Sequence, residues 1–394
     1  MPRGARATAA VDHVPDDRSA PEPVDVRGRP GTGGPDVPRP ADAGLRGSVT
    51  AGLARTVDVL DRYLADRQTH GAQLDPGYGE LWSHLAEQVG GKLLRPRLTL
   101  AAYLGLGGDD VAGASHVAAA QELLHTAMVV HDDLLDHDEV RRGRPNLTGA
   151  YRATLAADGV VGPGAEDHVL AAGLLGGDLA LVAAFGLVAR APIAPDLTVA
   201  VVDLLVQGVS TTVAGEMLDM SSALRSPAQV DTLRVAELKT AAYTCTVPLH
   251  AGALLARADA RTLSELARFG TALGTAFQLV DDELGVFGEP SRTGKSVLSD
   301  LRAGKRTELL RLSYLRADDA GRAVLDAHVG RPDLEDDAAA LVRDVMAGCG
   351  ARDELRAVAS RAAGTAHDVA RRHLPGELAD LLCALVDEMA GRWH

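Results

Sequence analysis

Three carboxylates fall within five positions at Asp132, Asp133 and Asp136, at the end of the run QELLHTAMVVHDDLLD. At 3.6 residues per helical turn, Asp132 and Asp136 stand one turn apart on one face, which His125 and Gln121 share further up the helix. Charges this close, directly after an apolar AMVV, repel one another unless cations join them. A second site of the same kind follows at Phe277-Gln278-Leu279-Val280-Asp281-Asp282, again closing an apolar stretch. There Gln278, Asp281 and Gly285 line one face, presenting an amide and a carboxylate together. Hard oxygen donors without a nearby Cys or His cluster indicate Mg2+ rather than zinc, and Mg2+ commonly takes one or two carboxylates plus substrate phosphates. The spacing therefore predicts metal-assisted work on a diphosphate, with the two Asp pairs on facing walls of one site.

The cations agree. Of the 40 basic residues only Lys92, Lys239, Lys295 and Lys305 are lysine, in a chain that otherwise writes Arg. Lys92 and Arg95, in GGKLLRP, sit one turn apart at a helix start, where free amides also favour anions. Arg141 and Arg142 follow the first Asp cluster. Lys239-Thr240 lies within an amphipathic helix, and Lys295 and Lys305 flank Asp300 in TGKSVLSDLRAGKRT.

The elements that position these groups read as helices almost throughout. Ala and Leu dominate from Leu45 onward, with apolar residues recurring at three and four. Helices are predicted over 46–68, 78–89, 93–106, 110–141, 167–190, 197–221, 227–257, 261–288, 306–316, 334–347, 350–373 and 376–391. Ser226-Pro227 reads as an N-cap and first-turn proline, and Gly143 with Pro145 as a stop. The Gly-rich run 156–166 reads as a loop, and no segment alternates like a strand. Residues 1–44 hold eight prolines and, after Met1, no Leu, Ile, Met, Phe, Tyr or Trp. Such a segment buries too little apolar surface to offset its ordering entropy and is expected to be disordered. The fold class is thus all-α, one multi-helix bundle over residues 45–394.

Composition excludes other classes. A net charge of −14 and a pI near 5.4, with no basic stripe, argue against a nucleic-acid partner. Cys245, Cys349 and Cys383 share no metal or redox spacing, which fits a reduced, cytoplasmic protein. No run of about 18 charge-free apolar residues suggests membrane insertion or a secretory leader.

Together HDDLLD with RRGRP, FQLVDD, GGKLLRP, Lys239-Thr240, Gly177-Asp178 and GEMLD at 215–219 resemble the trans-isoprenyl diphosphate synthases, the polyprenyl synthetases, in order and spacing over roughly 80–310. The resemblance implies a bundle around a central cavity, a homodimer, and condensation of isopentenyl diphosphate with an allylic diphosphate. It implies Asp132, Asp136 and Asp281 as Mg2+ ligands, and Arg141, Lys239, Lys295 and Lys305 as cations around the allylic diphosphate. Lys92, Arg95, His125 and Arg142 correspond to the isopentenyl diphosphate pocket, and Thr240 and Gln278 to oxygen-bearing groups beside the allylic carbon.

The second motif departs from the family's fullest pattern, because Gly285 stands where many relatives have a third Asp. The rival readings are a class I terpene cyclase, which should show an Asn/Ser/Glu metal triad that this chain lacks, and a non-catalytic partner subunit. Positions four and five before Asp132 are Met128 and Ala127, neither aromatic, which favours a geranylgeranyl product, with farnesyl or longer products open.

Overall fold

The computed structural model describes residues 44–141, 143–288 and 298–391. Its first helices are α1 (Gly44–Leu74), α2 (Pro76–Gln88), α3 (Leu94–Gly105) and α4 (Val111–Leu135). A short hairpin pairs β1 (Val140–Arg141) with β2 (Arg144–Pro145), and α5 (Leu147–Ala157), α6 (Pro163–Ala189) and α7 (Pro195–Ser222) follow. Next come α8 (Thr232–Val235), a π-helical segment (Ala236–Thr246), α9 (Val247–Leu255) and α10 (Ala260–Phe287). The remainder is α11 (Ser299–Ala303), α12 (Glu308–Arg316), α13 (Asp319–His328), α14 (Asp336–Gly348), α15 (Ala351–His373) and α16 (Gly376–Ala390).

Local chemistry sets the boundaries. The carboxylates of Asp75, Asp110 and Asp259 accept backbone N–H groups at the starts of α2, α4 and α10, and Asn146 does the same for α5. α4 carries Ala118, Ala119, Ala120, Leu123 and Leu124 fully buried, each leucine contributing about 2 kcal/mol through lost apolar exposure. It packs on α6, α3 and α1, whereas α10 packs on α15 and the π segment. The two Asp-bearing helices are thus held by different neighbours. Two apolar cores follow the same division, a large one around α4 and the first part of α10, and a smaller one joining the end of α10 to α11–α15.

Several expectations need correction. The first Asp helix ends at Leu135, not 141, because Asp136 caps it and the chain turns into the hairpin, so Arg141 lies on a strand. The 156–166 loop is shorter, since α5 runs to Ala157 and α6 starts at Pro163; α5, α11 and α13 were not predicted. Ser226-Pro227 begins a 3-10 turn, and Asp231 caps the helix that follows. Finally, by length and composition α6 and α7 are each apolar enough to cross a membrane, with mean hydropathies of 1.9 and 1.7 over their most apolar stretches. Scattered acidic residues such as Asp178 and Glu216 break the charge-free run without removing that character.

Candidate active site

Asp132, at the last full turn of α4, faces Lys239 Nζ at 3.1 Å. The same ammonium reaches Glu216 at 3.0 Å and Asp219 at 2.7 Å, both on α7. These distances depend on Gly215, where a Cβ would fall 2.3 Å from the Lys239 amide nitrogen. Any side chain there would push the π segment off α7. Burial by itself weakens the charge on Lys239, but Asp132, Asp219 and Glu216 outweigh it and hold the amine protonated well above the usual lysine range. Burial likewise pushes the Asp132 carboxyl up, yet Lys239, Lys305 and Arg141 together keep it below the ordinary aspartate value. Glu216 goes the other way, raised by its burial.

Arg141 returns over the end of α4 because the hairpin folds it back. Its Nε donates to Asp133 at 2.9 and 3.1 Å, and its guanidinium also pairs with Asp132 at 3.6 Å. Asp133 is therefore the buried anchor of the cluster, and Asp132 and Asp136 are its more open members. Asp136 accepts from Lys305 Nζ at 2.6 Å. Lys305 follows α11 and so links the end of the second motif's region to the first motif. Lys305, too, is held protonated above its usual range, with Asp300, Asp136 and Asp132 outweighing its burial.

On the facing wall, Thr240 Oγ1 donates to Gln278 Oε1 at 2.7 Å, and Gln278 Nε2 donates to Asp282 Oδ1 at 2.7 Å. This relay fixes the amide orientation. Asp281 is half-buried, while Asp282 and Glu283 turn inward. Burial, reinforced by Asp300 and Asp281, raises the Asp282 carboxyl to about 7 against the hydrogen bond from Gln278. Glu283 accepts from Arg352 at 2.7 Å and pairs with Arg356 at 2.6 Å, which clamps the motif to α15.

A second group of polar side chains gathers beside the π segment. Arg95 is buried, donates to Thr244 Oγ1 at 2.7 Å, and lies with its guanidinium carbon 4.8 Å from the centre of the Tyr243 ring. The His125 ring stacks on Tyr243 at 6.1 Å. The Arg95 Nε and both amide atoms of Gln121 are buried without a hydrogen-bond partner among the described residues, which leaves polar capacity for an anionic ligand. Lys92 stands exposed in the turn before α3, where Gly90, Gly91 and Leu93 all take positive φ. Arg142 and Lys295, both predicted site residues, lie outside the described residues.

The structure thus joins Asp132, Asp136, Arg141, Lys239 and Lys305 directly, places Thr240 with Gln278, and gathers Arg95 with His125. Sequence reasoning gave no role to Glu216, Asp219, Tyr243, Thr244 or Asp282. Glu216 and Asp219 had a signal, two carboxylates three residues apart on an otherwise apolar helix. Tyr243 had none, because its position depends on the π segment, a form frequent at functional sites but invisible in helical periodicity.

The donor set fits Mg2+. Among the described residues no three Asp, Glu, His or Cys side chains converge tightly enough to hold a metal unaided. Asp132 and Asp136 on α4 and Asp281 on α10 would instead supply the one or two carboxylates per ion that Mg2+ uses when phosphate oxygens complete its shell.

Residues 78–345 match the polyprenyl synthetase family model. The chain belongs to the polyprenyl synthetase family, an enzyme family of prenyl transferases. This polyprenyl synthetase is 33% identical over 309 residues to the (2E,6E)-farnesyl diphosphate synthase of Mycobacterium bovis, covering 76% of this chain and 80% of that protein. It is 35% identical over 285 residues to the geranylgeranyl diphosphate synthase of Mycobacterium tuberculosis, covering 68% and 74% respectively. A crystal structure of geranylgeranyl pyrophosphate synthase from Corynebacterium glutamicum, complexed with isoprenyl diphosphate and magnesium, superposes with a TM-score of 0.81 at 28% identity, covering 88% of this chain and 99% of that one.

Proposed function

We propose that this polyprenyl synthetase condenses isopentenyl diphosphate with an allylic diphosphate in a Mg2+-dependent reaction, with geranylgeranyl diphosphate as product. The observation that carries the reading is the pair of lysine bridges, Lys239 to Asp132 and Lys305 to Asp136, which bring two cations from distant parts of the chain onto the carboxylates of the first motif. Breaking an allylic C–O bond makes a carbocation and a free diphosphate, so charge stabilisation must stand ready before the bond opens. Asp132, Asp136 and Asp281 would hold the Mg2+, which supplies Lewis-acid neutralisation of the leaving diphosphate. Lys239, Lys305 and Arg141 supply fixed positive charge to the same group. The Gln278 and Thr240 oxygens face the carbon where positive charge develops. Arg95 and His125 hold isopentenyl diphosphate, with its double bond directed at that carbon, and Lys92 and Arg142 complete that anion pocket. This is positioning work.

The lack of an aromatic side chain at Ala127 and Met128 supports a product longer than farnesyl. The apolar stripes on α6 and α7, where Leu174, Val182, Val206, Val213 and Met217 are exposed, support a homodimer through these helices rather than a membrane span. The free cysteines and acidic net charge support a cytoplasmic location.

The test is incubation of purified protein with Mg2+, isopentenyl diphosphate and geranyl diphosphate, with chromatography of the products. A prenyl diphosphate is expected. A cyclic hydrocarbon would assign a terpene cyclase instead, and absence of any prenyl product would assign a non-catalytic subunit. Sedimentation is expected to show a dimer that Val213→Arg converts to a monomer.

A further inference from the structure

The hairpin that brings Arg141 to the first Asp motif cannot hold its shape by itself. Its strands are two residues each, pairing Val140 with Pro145 and Arg141 with Arg144, and so short a ribbon is not stable alone in water. The turn leading into it is strained too, because His137 takes a φ of 56°, a left-handed conformation that side chains rarely adopt. One buried side chain closes the neck. Asn146, just past the second strand, is only 1% exposed. Its Oδ1 accepts the Gly149 N–H at 2.9 Å and the Thr148 hydroxyl at 2.8 Å, which starts α5. Its Nδ2 donates to the Asp138 carbonyl at 2.6 Å, and its backbone N–H to the Glu139 carbonyl at 3.0 Å, both on the opposite side of the neck. These partners fix which end of the amide is oxygen. Gly149 permits the closeness, since a Cβ there would fall 2.2 Å from the Glu139 carbonyl oxygen, a backbone atom with no room to yield. A rival fastening is Arg152, which donates to the Glu139 carboxylate at 2.7 Å. That pair is exposed to solvent, where ion pairs contribute little.

We propose that Asn146 is a positioning residue for the allylic diphosphate, acting through Arg141 by closing the neck of the hairpin that carries it. The two carbonyls that Asn146 holds, on Asp138 and Glu139, come just before the strand of Arg141 in the chain. Releasing them frees that strand, and with it the guanidinium that donates to Asp133 and lies 3.6 Å from Asp132. The same amide that starts α5 thus sets where a substrate-facing cation stands. The assignment rests on the function proposed above, since that function gives Arg141 a diphosphate to meet.

Asn146→Asp separates the two jobs of this side chain. Aspartate caps a helix as well as asparagine does, so α5 keeps its start, but a carboxylate oxygen then faces the Asp138 carbonyl where the amide donated. Asn146→Ser also keeps a cap and only loses the reach, which covers the case of an aspartate variant that circular dichroism shows unfolded. Steady-state kinetics use Mg2+, saturating isopentenyl diphosphate and varied geranyl diphosphate. Each variant is expected to raise KM for geranyl diphosphate about fivefold, within the range of one lost buried hydrogen bond, with kcat within about twofold of the parent. In an Arg141→Gln background, which keeps a donor for Asp133 but no charge, the same substitutions are expected to add nothing. Loss of folded protein alone lowers kcat and leaves KM where it was, so an unchanged KM overturns the assignment. A rise in KM that persists in the Arg141→Gln background overturns it too, because the effect then bypasses Arg141. Either result leaves the proposed function standing. A parent protein that forms no prenyl diphosphate overturns both.

Discussion

Lys239 Nζ lies 2.7 Å from Asp219 on α7 and 3.1 Å from Asp132 on α4, so one ammonium joins the first Asp motif to a helix that the motif does not touch in sequence. Three carboxylates converge on this point charge at once. Lysine suits the geometry because its donors turn freely about a compact head, whereas arginine offers a larger planar fork whose donors are fixed in one plane.

Lys239→Arg is accordingly expected to lower kcat/KM about 100-fold, which corresponds to ~3 kcal/mol of lost transition-state stabilisation. Steady-state kinetics on purified protein check it. Normal turnover would show that the scarcity of lysine in this chain says nothing about the site.

The position of Lys239 also rests on a contact with no charge in it. Gly215→Ala must place a methyl group 2.3 Å from the Lys239 backbone nitrogen, and neither helix has a flexible side-chain end to yield there. Overpacking of this kind costs about 2 kcal/mol, and relief requires the π segment to move off α7. The expected outcome is a lower urea midpoint together with a raised KM for the allylic substrate. A fall in stability with unchanged KM would mean that the segment relaxes without moving its lysine.

The all-α class, the two Asp motifs and the lysine inventory were legible in the sequence because each depends on local spacing. Asp132 and Asp136 share a face by helical arithmetic alone, and the apolar AMVV before them already placed that face against a core. What escaped was set by packing between elements. Arg141 reaches Asp133 only because a hairpin replaces the last turn of the expected helix. Tyr243 reaches His125 only because the backbone around it is π-helical. Gly285, a missing carboxylate in the sequence pattern, faces in space the carboxylate of Asp300, fifteen positions on.

A pH effect is expected away from the chemistry. His250 on α9 is largely buried, and burial lowers its pKa below the usual histidine value despite the Nε2–H···O bond of 2.8 Å to the Leu263 carbonyl. The unfolded chain takes up a proton near the ordinary value of about 6.5 while the fold still resists it. The unfolded state then binds more protons, so stability rises with pH across this window and is lost as pH falls through the lowered folded value. Urea unfolding at about pH 7.5 and about pH 5.5 should show a larger loss for the parent than for His250→Gln, which keeps an amide donor but does not titrate. Equal losses would place the acid sensitivity elsewhere.

Product length offers the sharpest test of the α4 wall. Ala127 is fully buried and Met128 is half-buried against the main core, one turn below Asp132 where a growing chain would run away from its diphosphate. Methionine is unbranched and adjusts to what it meets, so it narrows such a path without closing it. Met128→Phe introduces a rigid ring at that depth and is expected to shift the main product from geranylgeranyl toward farnesyl diphosphate. Met128→Ala should lengthen it. Chromatography of the dephosphorylated alcohols reads both outcomes from one assay. If the two variants give the parent's product, growth stops on a helix other than α4, and Met128 has no part in setting length.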